Sequence, residues 1–245
     1  MRVPLEIVET IPAKVTSGNS KLGTHILTWS LPAVLTCPGR SHLCENLCYA
    51  LKHRFATARY LTQAIRNWII ASTPFFAWWM VRKIQKTRAL VVRIHVSGDF
   101  FNAAYVQQWI RIAEALPLVQ FYAYTRSWRD PVIREVLARF STLPNVQLWY
   151  SEDSETGCPT LAAEECRIRL AYLATHPQDT PDHADLIFRD YPSRGVVQKH
   201  VGGVLVCPAE NGTGRHIQCE KCGICWLDPV KHPAKRAGKR FRIAV

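Results

Sequence analysis

The chain has 245 residues, with 31 Lys and Arg against 19 Asp and Glu and a formal net charge of +12. Hydrophobic residues make up 48% and charged residues 20%, which excludes a disordered polyelectrolyte and supplies a core that needs no covalent staples. The nine cysteines therefore point to metal binding or catalysis in a reducing, cytoplasmic setting, and their odd number argues against a complete disulfide framework.

The opening MRVPLEIVETIPAK lacks the apolar stretch of a secretory signal and reads as a short strand-like start. The polar turn Ser17-Gly18-Asn19-Ser20 follows, then an extended apolar run through Leu35. Residues 53–87 read as helix, in two pieces broken at Pro74. Their most apolar part, Trp68 to Val81, is too short to span a bilayer, so no membrane partner is expected.

Val91–Val96 is a β-branched run that reads as a buried strand ending in Ser97-Gly98-Asp99. Asn102 is placed to cap the next helix, whose apolar positions Tyr105, Val106, Trp109, Ile112, Ala113 and Leu116 recur with helical spacing. Val119–Tyr124 reads as strand, Asp130-Pro131 as a helix start, and Val146–Tyr150 as strand. Residues 160–174 read as a further helix, with weaker strands expected at 185–189 and 203–206. Alternation of this kind implies βαβ units and a parallel sheet.

Along the first of these strands, alternation puts Arg93, His95, Ser97 and Asp99 on one face. On the next, Gln120, Tyr122, Tyr124 and Arg126 share a face; on the third it is Gln147, Trp149 and Ser151, or Leu148, Tyr150 and Glu152. A parallel strand covered on both sides is apolar on both faces. Polar, aromatic faces on three consecutive strands suggest the wall of a ligand-holding lumen.

The cysteines fall into sets. Cys37, Cys44 and Cys48 follow the first convincing strand; Cys207, Cys219, Cys222 and Cys225 lie near the C-terminus. The run Cys219-x2-Cys222-x2-Cys225, with Cys207-Pro208 upstream, has the spacing by which ferredoxin-like proteins hold a [4Fe–4S] cluster, and zinc is the alternative metal for four thiolates. Three thiolates leave one iron of a cubane, or one position of a catalytic zinc, open. Cys158 and Cys166 stand apart and read as unligated.

These pieces resemble the radical S-adenosylmethionine (SAM) superfamily. In wording they are similar to a phage-associated family of radical-SAM-like gene products, through SGNSKLG (17–23), the CP…C…CYA loop (37–50), RIHVSGDFF (93–101), FYAYTRS (121–127) and the C-terminal cysteines. The loop spacing here is C-x6-C-x3-C where the superfamily has C-x3-C-x2-C, Tyr49 follows the last cysteine, and the turn reads SGD in place of GGE.

The resemblance implies an α/β fold, a partial (β/α) TIM-like barrel over residues 1–200, with a cysteine-rich segment and basic tail at 201–245. It implies two [4Fe–4S] clusters: one on Cys37, Cys44 and Cys48 that cleaves SAM, and an auxiliary one on Cys207, Cys219, Cys222 and Cys225. SAM would meet Tyr49, Ser97, Gly98 and Asp99, an electron donor would supply the cluster, and His95, Tyr122, Tyr124 and Arg126 would face a substrate from which hydrogen is abstracted. The basic charge favours a polyanion, so the expected substrate is a nucleotide or a base in nucleic acid, with Arg126, Arg129, Arg134 and Lys231–Arg242 available for phosphates. The alternative is a non-enzymatic basic nucleic-acid-binding protein with structural zinc or iron–sulfur sites.

Overall fold

The computed structural model describes residues 12–179, 181–191, 197–211 and 217–227; the strand-like start and the basic tail expected above lie outside them. The architecture is mixed α/β around a seven-stranded sheet whose strands lie side by side in chain order. These are β1 (Thr16–Ser17), β2 (Ile26–Thr28), β3 (Val91–Ile94), β4 (Gln120–Thr125), β5 (Val146–Glu152), β6 (Arg169–Ala174) and β7 (Leu186–Arg189). β1 pairs antiparallel with β2, and every later neighbour is parallel. The order is linear, with β1 and β7 at its two ends.

The helices follow from local chemistry. After the short α1 (His42–Asn46) come α2 (Ala58–Ala71) and α3 (Phe76–Thr87), with the break on either side of Pro74. α4 (Ala103–Ala115) begins where Asn102 accepts from the Tyr105 amide, and α5 (Pro131–Ser141) where Asp130 accepts from Val132 and Ile133 with proline at the first position. Their apolar stripes pack on one face of the sheet, joining Val92, Ile94, Phe121, Ala123, Leu148 and Tyr150 in the main core.

One sequence expectation needs correction. Residues 160–174 are not a helix: Ala163–Glu165 is a single 3-10 turn and the rest is β6. The apolar positions Ile168, Leu170, Ala171 and Ala174 suit a short buried strand as well as a helix stripe, and pairing with β5 decides the matter. The strand foreseen at 203–206 is β9 (Val204–Leu205), which pairs antiparallel with β8 (His200–Val201) outside the main sheet.

The other sheet face is covered by the C-terminal segment. Trp226 packs with Leu22, Ile26 and Tyr122, and Cys207 with Trp149, Ala171 and Leu186. The four-residue helix α6 (Cys219–Cys222) docks on the SGNSKLG stretch, with the Cys219 and Glu220 amides donating to the carbonyls of Lys21 (2.8 Å) and Leu22 (3.0 Å). Asn19 prepares that docking site: its side chain accepts from the Lys21 and Leu22 amides and turns their carbonyls outward.

Candidate functional site

A cavity of about 610 Å³ opens on this face of the sheet. Fourteen of the fifteen residues singled out from sequence border it: Cys37, Cys44 and Cys48; Tyr49; Ser97, Gly98 and Asp99; His95, Tyr122, Tyr124 and Arg126; and Cys207, Cys219 and Cys225, which bring the two cysteine sets to one space, Cys222 alone standing back. Cys222 instead joins Cys207, Cys219 and Cys225 around a small neighbouring void of about 20 Å³.

The first cysteine loop is fastened at several points. Val34, just ahead of it, holds a left-handed φ of 69°, a strained conformation for a β-branched residue. Arg40 clips the loop by donating to the Cys37 carbonyl at 3.2 Å and to Glu45 at 2.7 Å. Gly39 packs so closely on the end of β4 that a Cβ there would lie 1.8 Å from the Arg126 carbonyl oxygen, so only glycine fits. Ser41 caps α1 by accepting from the Cys44 amide at 2.9 Å and donates to Asp153 Oδ2 at 2.6 Å. Asp153 also ion-pairs with Arg126 at 2.5 Å.

The SGD turn is buried beside this loop. Gly98 has φ 75°, and a Cβ would meet the Thr36 hydroxyl at 2.5 Å. Ser97 donates to the Leu31 carbonyl (2.8 Å) and contacts the Tyr60 hydroxyl (2.6 Å). Asp99 accepts from the amides of Phe100 (2.7 Å) and Arg126 (2.8 Å), and no cation pairs with it among the described residues. Burial pushes its carboxyl above the usual range, against the Thr125 and Ser127 hydroxyls and those amides. The Tyr49 hydroxyl donates a hydrogen bond to the Val96 carbonyl.

His95 departs from the face expected for it. Its φ of 64° breaks the alternation that leaves Arg93 on the cavity side, and its ring packs against Phe100 and Tyr105 in the helix-covered core. Nε2 lies 3.0 Å from the Tyr105 hydroxyl, which also accepts from Trp29. Burial, then the charge of Arg93, lowers its pKa to about 3, so the ring is neutral. Sequence reasoning gave His95 a role in the lumen; Arg93 is the residue that occupies that face. Its guanidinium faces Tyr124 and has no carboxylate partner among the described residues. Burial acts to lower its pKa, but Tyr49, Tyr122, Tyr124 and Cys225 hold it above the ordinary range.

On β5 the cavity face is the one with Gln147, Trp149 and Ser151, since Tyr122 pairs with Gln147 and Tyr124 with Trp149. Tyr124 donates to Cys225 Sγ at 2.9 Å and stacks on Trp149; Trp149 Nε1 donates to the Cys225 carbonyl, also at 2.9 Å. Arg169, whose guanidinium lies 3.9 Å above the Trp149 ring, donates to the Ile224 carbonyl at 3.1 Å. The C-terminal cysteine turn is thus stapled to three parallel strands. The Tyr122 hydroxyl is buried beside these thiols with no hydrogen-bond partner among the described residues.

The seven thiols are a donor set that could hold iron–sulfur clusters or zinc. Burial pushes the Cys37 and Cys225 thiols up to about 12, and Cys44, Cys207 and Cys219 upward as well; such groups are thiolates at neutral pH only against a strong cation. Among the described residues no three of the seven thiols come within 4.8 Å of one another. Tetrahedral zinc needs sulfurs about 3.8 Å apart for Zn–S bonds of about 2.3 Å, whereas each corner iron of a cubane takes its own, more distant thiolate.

No helix among the described residues is long and apolar enough to cross a membrane. The Gene product 88 family model matches residues 10–228, and the chain belongs to that family. It is 28% identical to the Gene 88 protein of Mycobacterium phage L5 and 26% identical to that of Mycobacterium phage D29, in each case over 151 residues or 57% of this chain. The matched part spans 62% and 61% of those relatives. No solved structure matches the chain.

Proposed function

We propose that this member of the Gene product 88 family is an iron–sulfur enzyme of the radical SAM type. The observation that carries the reading is convergence: a three-thiol loop, a buried SGD turn and three thiols of the four-cysteine segment, far apart in sequence, border one cavity over a mostly parallel sheet. In this reading β2–β7 and their helices form the wall of a partial (β/α) TIM-like barrel. Cys37, Cys44 and Cys48 hold one [4Fe–4S] cluster with an open iron, and Cys207, Cys219, Cys222 and Cys225 hold a second. Bound SAM and the first cluster, reduced by an electron donor, supply one-electron chemistry able to activate an unreactive C–H bond.

The chain's own residues bind, orient and exclude water. Asp99, a buried carboxylate without a cation, is matched to an ammonium group such as that of SAM. Gly98, with no side chain, lets the turn pack against Thr36 and Leu31 and so fixes Asp99 at the cavity. Arg93 offers a charge to a carboxylate or phosphate, and Tyr122 and Tyr124 supply flat apolar surface beside it. Together with the net charge of +12, these features favour an anionic, base-containing substrate, a nucleotide free or in nucleic acid.

The test is iron and acid-labile sulfide analysis of anaerobically purified protein, with EPR after reduction, with and without SAM. About eight irons per chain and a signal altered by SAM are expected for two cubanes, with the SAM response and SAM binding both lost in Asp99→Ala. Zinc without sulfide would overturn the reading in favour of a structural metal protein. Eight irons with no response to SAM would remove the reaction while leaving the clusters.

A further inference from the structure

We propose that Glu152, Cys158 and His183 form a separate Zn²⁺ site on the helix-side face of the sheet, with three protein ligands and one position open to solvent. This does not rest on the reading above. Among the described residues, this is the one trio of Cys, His and carboxylate donors whose ligand atoms all lie within 4.8 Å of one another.

Local structure brings the three together. Glu152 ends β5 on the same face as Leu148 and Tyr150, away from the cysteine cavity. Asp153 Oδ1 accepts from the Glu155 amide at 2.9 Å and the Thr156 amide at 3.0 Å, closing a tight turn. Gly157, with φ 67°, then reverses the chain and returns Cys158 to Glu152. His183 arrives from the loop ahead of β7, its Nε2 2.8 Å from Glu152 Oε1.

Two features point to a cation. Glu152 is 0% exposed; His183 reaches its Oε1, and the buried Oε2 has no nitrogen or oxygen donor among the described residues, the Cys158 thiol alone being directed at the carboxylate. A buried acceptor left without a donor costs about 1–3 kcal/mol, more when charged, and a metal ion removes that cost. The donors are also mixed: one sulfur, one nitrogen and one carboxylate. Calcium and magnesium take all-oxygen cages, whereas zinc accepts this set and in open sites uses three protein ligands. Cys158 and His183 are both exposed, so small side-chain rotations suffice to tighten the trio, and the fourth position faces solvent.

The test compares the full chain with Cys158→Ser and His183→Ala, and with Cys166→Ser as a control thiol outside the trio. Each protein is equilibrated with Zn²⁺, desalted and analysed for metal; parallel samples carry Co²⁺ for absorption spectroscopy. The expected result is one zinc fewer per chain in both Cys158→Ser and His183→Ala, none lost in Cys166→Ser, and a sulfur-to-cobalt band that Cys158→Ser diminishes. Both changed residues are exposed, so the fold should survive, and circular dichroism checks it. Unchanged zinc in the two variants would overturn the site, as would equal loss in the control. Loss in Cys158→Ser alone would reduce the site to a single reactive thiol and would equally overturn it.

Discussion

The Ser41 hydroxyl donates to Asp153 Oδ2 at 2.6 Å, joining the middle of the first cysteine loop to the end of β5 across 112 residues. The same oxygen of Ser41 accepts from the Cys44 amide, so one atom both caps α1 and anchors the loop to the sheet. Ser41→Ala removes the cap and leaves a buried carboxylate oxygen short of a donor. The expected cost is about 1–2 kcal/mol of stability. If the loop holds a cluster, iron should fall toward half, because the C-terminal cysteines are anchored elsewhere, through Tyr124 and Trp149. Denaturant unfolding and iron content measure the two effects; full iron in the variant would show that the anchor does not govern the loop.

Glu165 is 2% exposed and receives a bidentate fork from Arg134, at 2.8 and 2.6 Å, with further bonds from Tyr150 (2.7 Å) and the Ala162 amide (2.9 Å). Burial alone would raise its pKa, but these donors hold it below the usual carboxylate range. Its folded pKa is therefore depressed. The stabilisation is present above the unfolded value of about 4.3 and is lost as pH falls through the lower folded value. Glu165→Gln should cost about 3 kcal/mol at neutral pH, as removal of one partner of a buried pair does. The gap between variant and parent should then begin to narrow as pH falls below about 4.3 and close only below the lower folded value. A constant gap down to acid pH would show that packing, not charge, carries the effect.

The legible part of the fold was the part where local chemistry is unambiguous. The caps at Asn102 and Asp130 are where the sequence places them, and the strand expected over Val91–Val96 is present over Val91–Ile94. β6 was not legible, because the spacing of Ile168, Leu170, Ala171 and Ala174 serves a helix or a strand, and no helix separates β5 from β6. In the site, cysteines and the SGD turn announce themselves by residue type. The displacement of His95 into the core does not, since its left-handed backbone carries no glycine or asparagine signal. Nor does the trio of Glu152, Cys158 and His183, whose members only the pairing of β5, β6 and β7 brings together.

That displacement has a measurable cost. A neutral, buried His95 with a pKa lowered to about 3 binds fewer protons folded than unfolded. Stability should therefore be full above about pH 6.5 and decline below it, by up to about 1.4 kcal/mol per pH unit until the folded pKa is reached. His95→Asn, which tolerates a left-handed φ, should remove that part of the slope, a difference of about 2 kcal/mol between pH 6.5 and 5. Denaturant unfolding across this range is the measurement. Parallel slopes for variant and parent would mean that the ring takes up its proton without leaving the core.

Tyr124 allows the C-terminal thiols to be tested apart from the first loop. Its hydroxyl donates to Cys225 Sγ, and the ring is held by Trp149 on one side and Phe188, at 5.2 Å, on another. Tyr124→Phe deletes the donor and keeps the packing, so the fold should change little. A hydrogen bond to a ligating sulfur favours the more negative, reduced state of a cluster. If the proposed clusters are present, its removal should therefore make the C-terminal one harder to reduce, moving its midpoint to more negative potential and leaving one on Cys37, Cys44 and Cys48 where it was. A potentiometric EPR titration separates the two signals. A shift in the first-loop signal instead, or none in either, would mean that Cys225 is not a ligand of the centre beside Tyr124.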